Sequence, residues 1–170
     1  MKHALVLLFG IFLISSCGDT NGPAEPEVAA PDKSVIALDH VNFPLQFKAH
    51  EKYTSNASPE LRMNNTTGVF EISIGDKIQF DIIGDSISIA SFKEELLHDQ
   101  LFTYKFYDEA DDNLIYQAVL PTGEGFFYHY AALKNINGNY YFVRSREGNE
   151  YTLSNVKDIR EVVNTLEALK

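Results

Sequence analysis

Residues 113–146 read NLIYQAVLPTGEGFFYHYAALKNINGNYYFVRSR. Three runs in this stretch, 114–120, 126–136 and 140–145, are dense in aromatic and β-branched residues. Such side chains fit a pleated, half-buried surface. Turn chemistry separates the runs: Pro121-Thr122-Gly123-Glu124-Gly125 first, then Asn137-Gly138. Asn-Gly is the strongest short hairpin signal, because a type I′ turn needs two positive φ angles and these residues tolerate them best. The stretch predicts a twisted antiparallel meander to which the other elements dock.

Upstream, residues 69–90 carry a second meander. Phe70, Ile72 and Ile74 alternate with Glu71 and Ser73, and Ile78, Phe80 and Ile82 alternate with Gln79 and Asp81. A two-residue loop at Gly75-Asp76 would send the two apolar sets to opposite faces. A three-residue loop, Gly75-Asp76-Lys77, pairs Ile74 with Ile78 and Ile72 with Phe80, as burial demands. Gly84-Asp85 then suits a two-residue turn that sets Ile82 against Ile87. Ser91 and Glu94 form a capping box that opens a short helix to about His98, with Phe92 and Leu96 on one face. Residues 101–108 return to strand and reach the acidic turn 108–113. Beyond the central meander, Val156, Ile159, Val162, Val163, Leu166 and Leu169 line one face of a helix, with Asn155 as its cap and Asp158 reaching back. Residues 35–47 form a weak strand broken by Pro44, and 48–68 read as irregular. The order is α+β: a twisted antiparallel sheet of about seven strands, with a short mid-chain helix and a C-terminal amphipathic helix packed on it. Over residues 69–169 this order of elements resembles the Mog1/PsbP-like fold, which implies a binding or assembly role more than a chemistry.

The N-terminus has a different character. Met1-Lys2-His3 is a short basic start, and residues 4–14 are an apolar run interrupted only by Gly10. Small residues Ser15-Ser16 then precede Cys17. The run describes a secretory signal, too short for a membrane span. Ile14-Ser15-Ser16-Cys17 resembles the bacterial lipobox, and Cys17 is the only cysteine of the chain. The resemblance implies cleavage before Cys17, acylation of its sulfur, and a cell-envelope protein anchored to a bacterial membrane, the outer membrane favoured, with its domain on the periplasmic or external side. Three acyl chains, as in lipoproteins of this type, exceed the two that stable attachment needs. The expected organisation is a signal peptide over 1–16, a lipidated Cys17 with a disordered tether to residue 34, and one α+β domain over 35–170. The tether is rich in Pro, Gly and acid, and as a flexible coil spans roughly 20–25 Å. Loss of residues 1–16 removes Lys2 and moves the formal charge from −10 to −11. That charge argues against nucleic acid as a partner and leaves an envelope protein or a small ligand.

Catalytic patterns are sparse. No pair of histidines has metal-ligand spacing, no serine has the nucleophile-elbow context, and no cofactor is implied. Asp108, Asp111 and Asp112 are the weak candidate for an ion, but a calcium loop wants alternating oxygens and a glycine that this turn lacks. His129 should point away from Tyr128 and Tyr130, with Tyr116 near it on the adjoining strand. Seven of nine tyrosines fall between Tyr104 and Tyr141. Tyrosine is amphipathic and rigid, suited to contact surfaces, although sheets recruit it for packing alone. The ligand-facing candidates are Tyr116, Tyr128, His129 and Tyr130. The sequence favours a membrane-tethered, non-catalytic binding module. An enzyme with a site near His129 and a purely structural envelope protein are the alternatives.

Overall fold

Alternating apolar residues build the central layer. In the computed structural model, which describes residues 34–170 apart from Asn56 and Glu124, seven strands form one antiparallel sheet in the order β3-β4-β5-β9-β8-β7-β6. They are β3 (Glu60–Asn64), β4 (Val69–Ile74), β5 (Ile78–Ile83), β6 (Thr103–Glu109), β7 (Asn113–Val119), β8 (Phe126–Ile136) and β9 (Asn139–Ser145). The signal segment, Cys17 and the tether as far as residue 33 lie outside the described residues. Ile74 pairs with Ile78 and Ile72 with Phe80 across the three-residue loop, the register that buries both apolar sets. Asn137 and Gly138 have φ of 54° and 85°, the left-handed pair that the β8–β9 turn requires.

Each face of the sheet takes one helix. Helix α3 (Leu153–Val163) lays Val156, Ile159, Val162 and Val163 against Phe70, Ile72, Phe80, Ile82, Ile115, Tyr130 and Val143. Helix α2 (Ile89–Leu97) lays Ile89 and Phe92 against Leu114, Tyr116, Ala131 and Phe142 on the other face. The α3 side also carries a small sheet of β1 (Val35–Ala37), β2 (Leu45–Lys48) and β10 (Glu167–Ala168), with β2 in the middle. Phe47 of β2 meets Phe80 edge-on, ring centroids 5.7 Å apart.

Several details depart from the sequence reading. Residues 35–47 form two strands around a 3-10 turn at Asp39–Val41, and Pro44 stands just outside β2. The stretch read as irregular contains a one-turn helix, α1 (Glu51–Thr54), and the edge strand β3. Leu61 and Met63 of β3 turn inward, but the strand lacks the β-branched residues that signal one. No strand follows Gly84-Asp85. Strand β5 is already paired on both sides, by β4 and β9, so the chain leaves the sheet there. Ser88 caps α2, its side chain accepting the Ser91 N–H at 3.0 Å, one turn before the expected Ser91. Helix α3 also begins one turn early. Thr152 is its cap, and Asn155 closes the capping box from the third position. It ends at Val163, and Leu166 reaches the same core from beyond the helix. The last residues pair with β2 instead, Ala168 opposite Leu45, because β2 offers an unpaired edge that a longer helix would leave unsatisfied.

Candidate functional site

The site begins where the β8–β9 ladder stops. The two strands pair from Ile136↔Asn139 to Ala131↔Arg144 and then part, while β9 stays with β5 through Phe80↔Ser145. The backbone amides of β8 past this point find other acceptors. Ser145 Oγ accepts the Tyr130 N–H at 3.0 Å, and the Tyr151 carbonyl accepts the Tyr128 N–H at 3.1 Å. Residues 146–150, between those two acceptors, swing out over the α2 face. Arg146 pins them down: Nε donates to Asp81 Oδ1 at 3.1 Å, Nη1 to Ser73 Oγ at 2.9 Å and Nη2 to the Ile72 carbonyl at 3.3 Å. Asn149 Nδ2 donates to Gln79 Oε1 at 3.0 Å.

A cleft of about 550 Å³ lies between this loop, α2 and strands β6 to β8. Its wall holds the rings of Phe92, Phe102, Tyr104, Tyr116, Phe127 and His129, with Glu95, Asp99, Arg144, Glu147 and Glu150 among the charged lining. Strand alternation supplies the floor. Tyr116 sits opposite His129 in the β7–β8 register, and their rings stack at 5.3 Å and 27°. Phe92 meets Tyr116 edge-on at 5.8 Å, and Tyr104 tilts against it at 5.9 Å. The Tyr104 hydroxyl donates to Asp99 Oδ2 at 2.5 Å, and the Leu101 N–H donates to Oδ1 at 2.6 Å. Tyr116 is 6% exposed, and its hydroxyl makes no hydrogen bond among the described residues.

Burial sets the protonation of the floor. It pushes the Tyr116 phenol well above the ordinary tyrosine range, with the Glu147 carboxylate adding to the effect. It lowers His129 below the ordinary histidine value, although Glu147 pulls the other way, so the imidazole is neutral at pH 7. His129 Nδ1 lies 3.3 Å from Ser145 Oγ. Because that oxygen already accepts the Tyr130 N–H, its own proton is available to the imidazole. The hydrogen bond from Tyr104 is the main reason Asp99 stays below the usual carboxylate range, and Asp99 is ionised at neutral pH.

Of the four ligand-facing candidates, the structure brings Tyr116 and His129 together and places the other two on the opposite face. Tyr130 is fully buried under α3, its hydroxyl without a partner among the described residues. Tyr128 lies between Tyr107 and Phe126, ring centroids 5.5 and 5.8 Å away. Asp108 is ion-paired with Arg160, while Asp111 and Asp112 are exposed at the hairpin tip. Among the described residues, no group of three or more His, Cys, Asp or Glu is placed to hold a metal ion. Nor is any described helix long and apolar enough to cross a membrane. Sequence reasoning missed Phe92, Asp99, Phe102, Tyr104, Phe127, Arg144 and Glu147 as cleft residues. Alternation does place Tyr104, Tyr116, Phe127 and His129 on one face. Nothing local announces that β8 and β9 part or that the 146–150 loop folds back.

Comparison with protein-family models, with curated proteins and with solved structures returns no match.

Proposed function

We propose that this chain is a lipid-anchored bacterial envelope protein whose α+β domain is a non-catalytic binding module for a small amphipathic molecule. One observation carries the binding part: a cleft of about 550 Å³ lined by six aromatic rings, one of them the largely buried Tyr116. Ligand sites are typically concavities of roughly 300–1,000 Å³, apolar with a few placed polar groups. The Tyr116 hydroxyl makes no hydrogen bond among the described residues and is available to a ligand in the cleft. A purely structural role gives no reason to hold such a space open. The lipobox at residues 14–17 supports the anchor.

Two measurements test the reading. Intact-mass analysis of the protein from a bacterial envelope should find a mature chain starting at an acylated Cys17, and a bare sulfur would remove the anchor. A fragment screen followed by amide chemical shifts should move Tyr116, His129 and Glu147 together, and a diverse library that moves none of them would sink the binding site. The neutral, cleft-lining His129 keeps an enzyme as the second reading, since a base must be unprotonated to act. Its ring has no carboxylate partner among the described residues to orient it, which weighs toward binding. Turnover of a bound fragment that His129→Gln abolishes would reverse that judgement.

A further inference from the structure

The charges around the cleft are unbalanced. Glu95, Asp99, Glu147 and Glu150 line it, against Arg144 as the one lining cation among the described residues. Arg144 gives its Nη1 to Glu147 Oε1 at 2.6 Å, while its Nε is buried with no partner among the described residues. Among the described residues no lysine lines the cleft, and the whole chain is acidic at −10. An anion entering this space meets net repulsion, whereas a cation is drawn in and gains further in a partly desolvated site.

The rings are arranged to receive the same charge. Phe92 and Tyr116 meet at 68°, Tyr104 and Tyr116 at 57°, and Phe102 and Tyr104 at 52°. All four of these rings line the hollow. The face of an aromatic ring attracts an ammonium within about 6 Å of its centroid. Tyr104 is sensitised for this: by donating its hydroxyl proton to the ionised Asp99, it gains electron density in the ring. The unpartnered Tyr116 hydroxyl adds lone pairs that accept from an N–H donor. An acidic rim alone would mean no more than solubility. Here it surrounds a cavity with aromatic walls and the hydroxyl of the largely buried Tyr116, which has no protein partner among the described residues.

We infer that the ligand of this cleft is a small organic cation, an amine or quaternary ammonium carried on an apolar or aromatic body. The inference rests on the cleft being the binding site, as proposed above, and adds the sign of the ligand's charge.

Three probes of nearly equal shape test it on the mature lipidated chain in a non-ionic detergent: 2-phenylethylammonium, 2-phenylethanol and 3-phenylpropionate. Amide shifts of Tyr116 and His129 are the readout. The ammonium should bind on the order of tenfold more tightly than the alcohol, and the carboxylate most weakly. Glu95→Gln and Glu150→Gln sit on the exposed rim and leave the wall intact. Each should weaken the ammonium by about two- to fivefold while leaving the alcohol unchanged. Equal or reversed affinities, with the same residues shifting, would overturn the cation and leave the binding site standing. No shift with any of the three would overturn both. Nα-acetyl-lysine methylamide, bearing the same charge in the form a protein partner presents it, is the fourth probe. Tighter binding of that compound than of 2-phenylethylammonium would overturn the small-molecule assignment in favour of a lysine-bearing partner.

Discussion

Replacing Arg146 by Met should unlatch the loop that walls the cleft, with a penalty that depends on pH. The guanidinium is shared between Asp81, Ser73, Gln79 and the Ile72 carbonyl, and Asp81 is 7% exposed. Removing one member of a fully buried pair costs about 3–5 kcal/mol. Arg146 keeps 24% of its side chain in contact with solvent, so we expect about 2–3 kcal/mol at pH 7. Burial, the largest influence on Asp81, raises its pKa above the ordinary aspartate value, and Arg146 opposes it by hydrogen bond and by charge. A raised folded-state pKa means the folded protein holds this proton more tightly than the unfolded chain does. The stability so contributed is present at low pH and lost as pH rises through the folded pKa. Taking Arg146 away removes the two largest opposing influences and widens that window upward. The variant's deficit should therefore be small near pH 4 and grow toward pH 7. Adding Asp81→Asn to Arg146→Met should recover about 1–2 kcal/mol at pH 7, because the charge left unpaired is gone. Urea unfolding followed by tyrosine fluorescence or far-ultraviolet circular dichroism suits a chain with nine tyrosines and no tryptophan. An equal deficit at both pH values, unrelieved by Asp81→Asn, would refute the latch.

Three further outcomes follow from the same geometry. His129 has its folded pKa lowered by burial, so its contribution is present above the unfolded value and lost as pH falls below it; wild-type Tm should drop more than that of His129→Gln between pH 7.5 and 5. Ser145→Ala leaves the Tyr130 amide of the parted β8 without its acceptor and should cost about 1–3 kcal/mol in urea unfolding, a neutral result contradicting the capping role. Tyr130→Phe removes a buried hydroxyl that has no partner, and should be neutral or stabilise by up to about 1 kcal/mol, where a clear loss would reveal a bond the structure does not show.

Much of this fold was legible along the chain, because its causes are local. Period-two alternation named β4, β5 and the central meander. The parity of that alternation chose a three-residue loop over a two-residue one between Ile74 and Ile78. Asn137-Gly138 announced its own turn through the φ angles it tolerates. Both helices were legible as existing, yet each starts one turn earlier than its most obvious cap, at Ser88 and Thr152. A capping residue (Ser, Thr or Asn) with a polar residue three positions on occurs twice in succession in both places, and docking against the sheet selects which copy is used.

What tertiary structure alone decided is set by pairing between distant residues. Hydrogen bonds between β5 and β9 left no room for a strand after Gly84. The edge of β2 drew the last residues out of a helix and into a strand 121 positions away, where Gln46 donates to Glu167. The cleft belongs to the same class. Alternation dictated that Tyr116 and His129 share a face, whereas the space beside them exists because β9 follows β5 away from β8 and Arg146 holds the intervening loop to β4 and β5. Which side chains can share a face is a property of backbone period, written residue by residue. Whether a face is covered or left open depends on which elements compete for its hydrogen bonds and apolar area, and only the folded chain settles that competition.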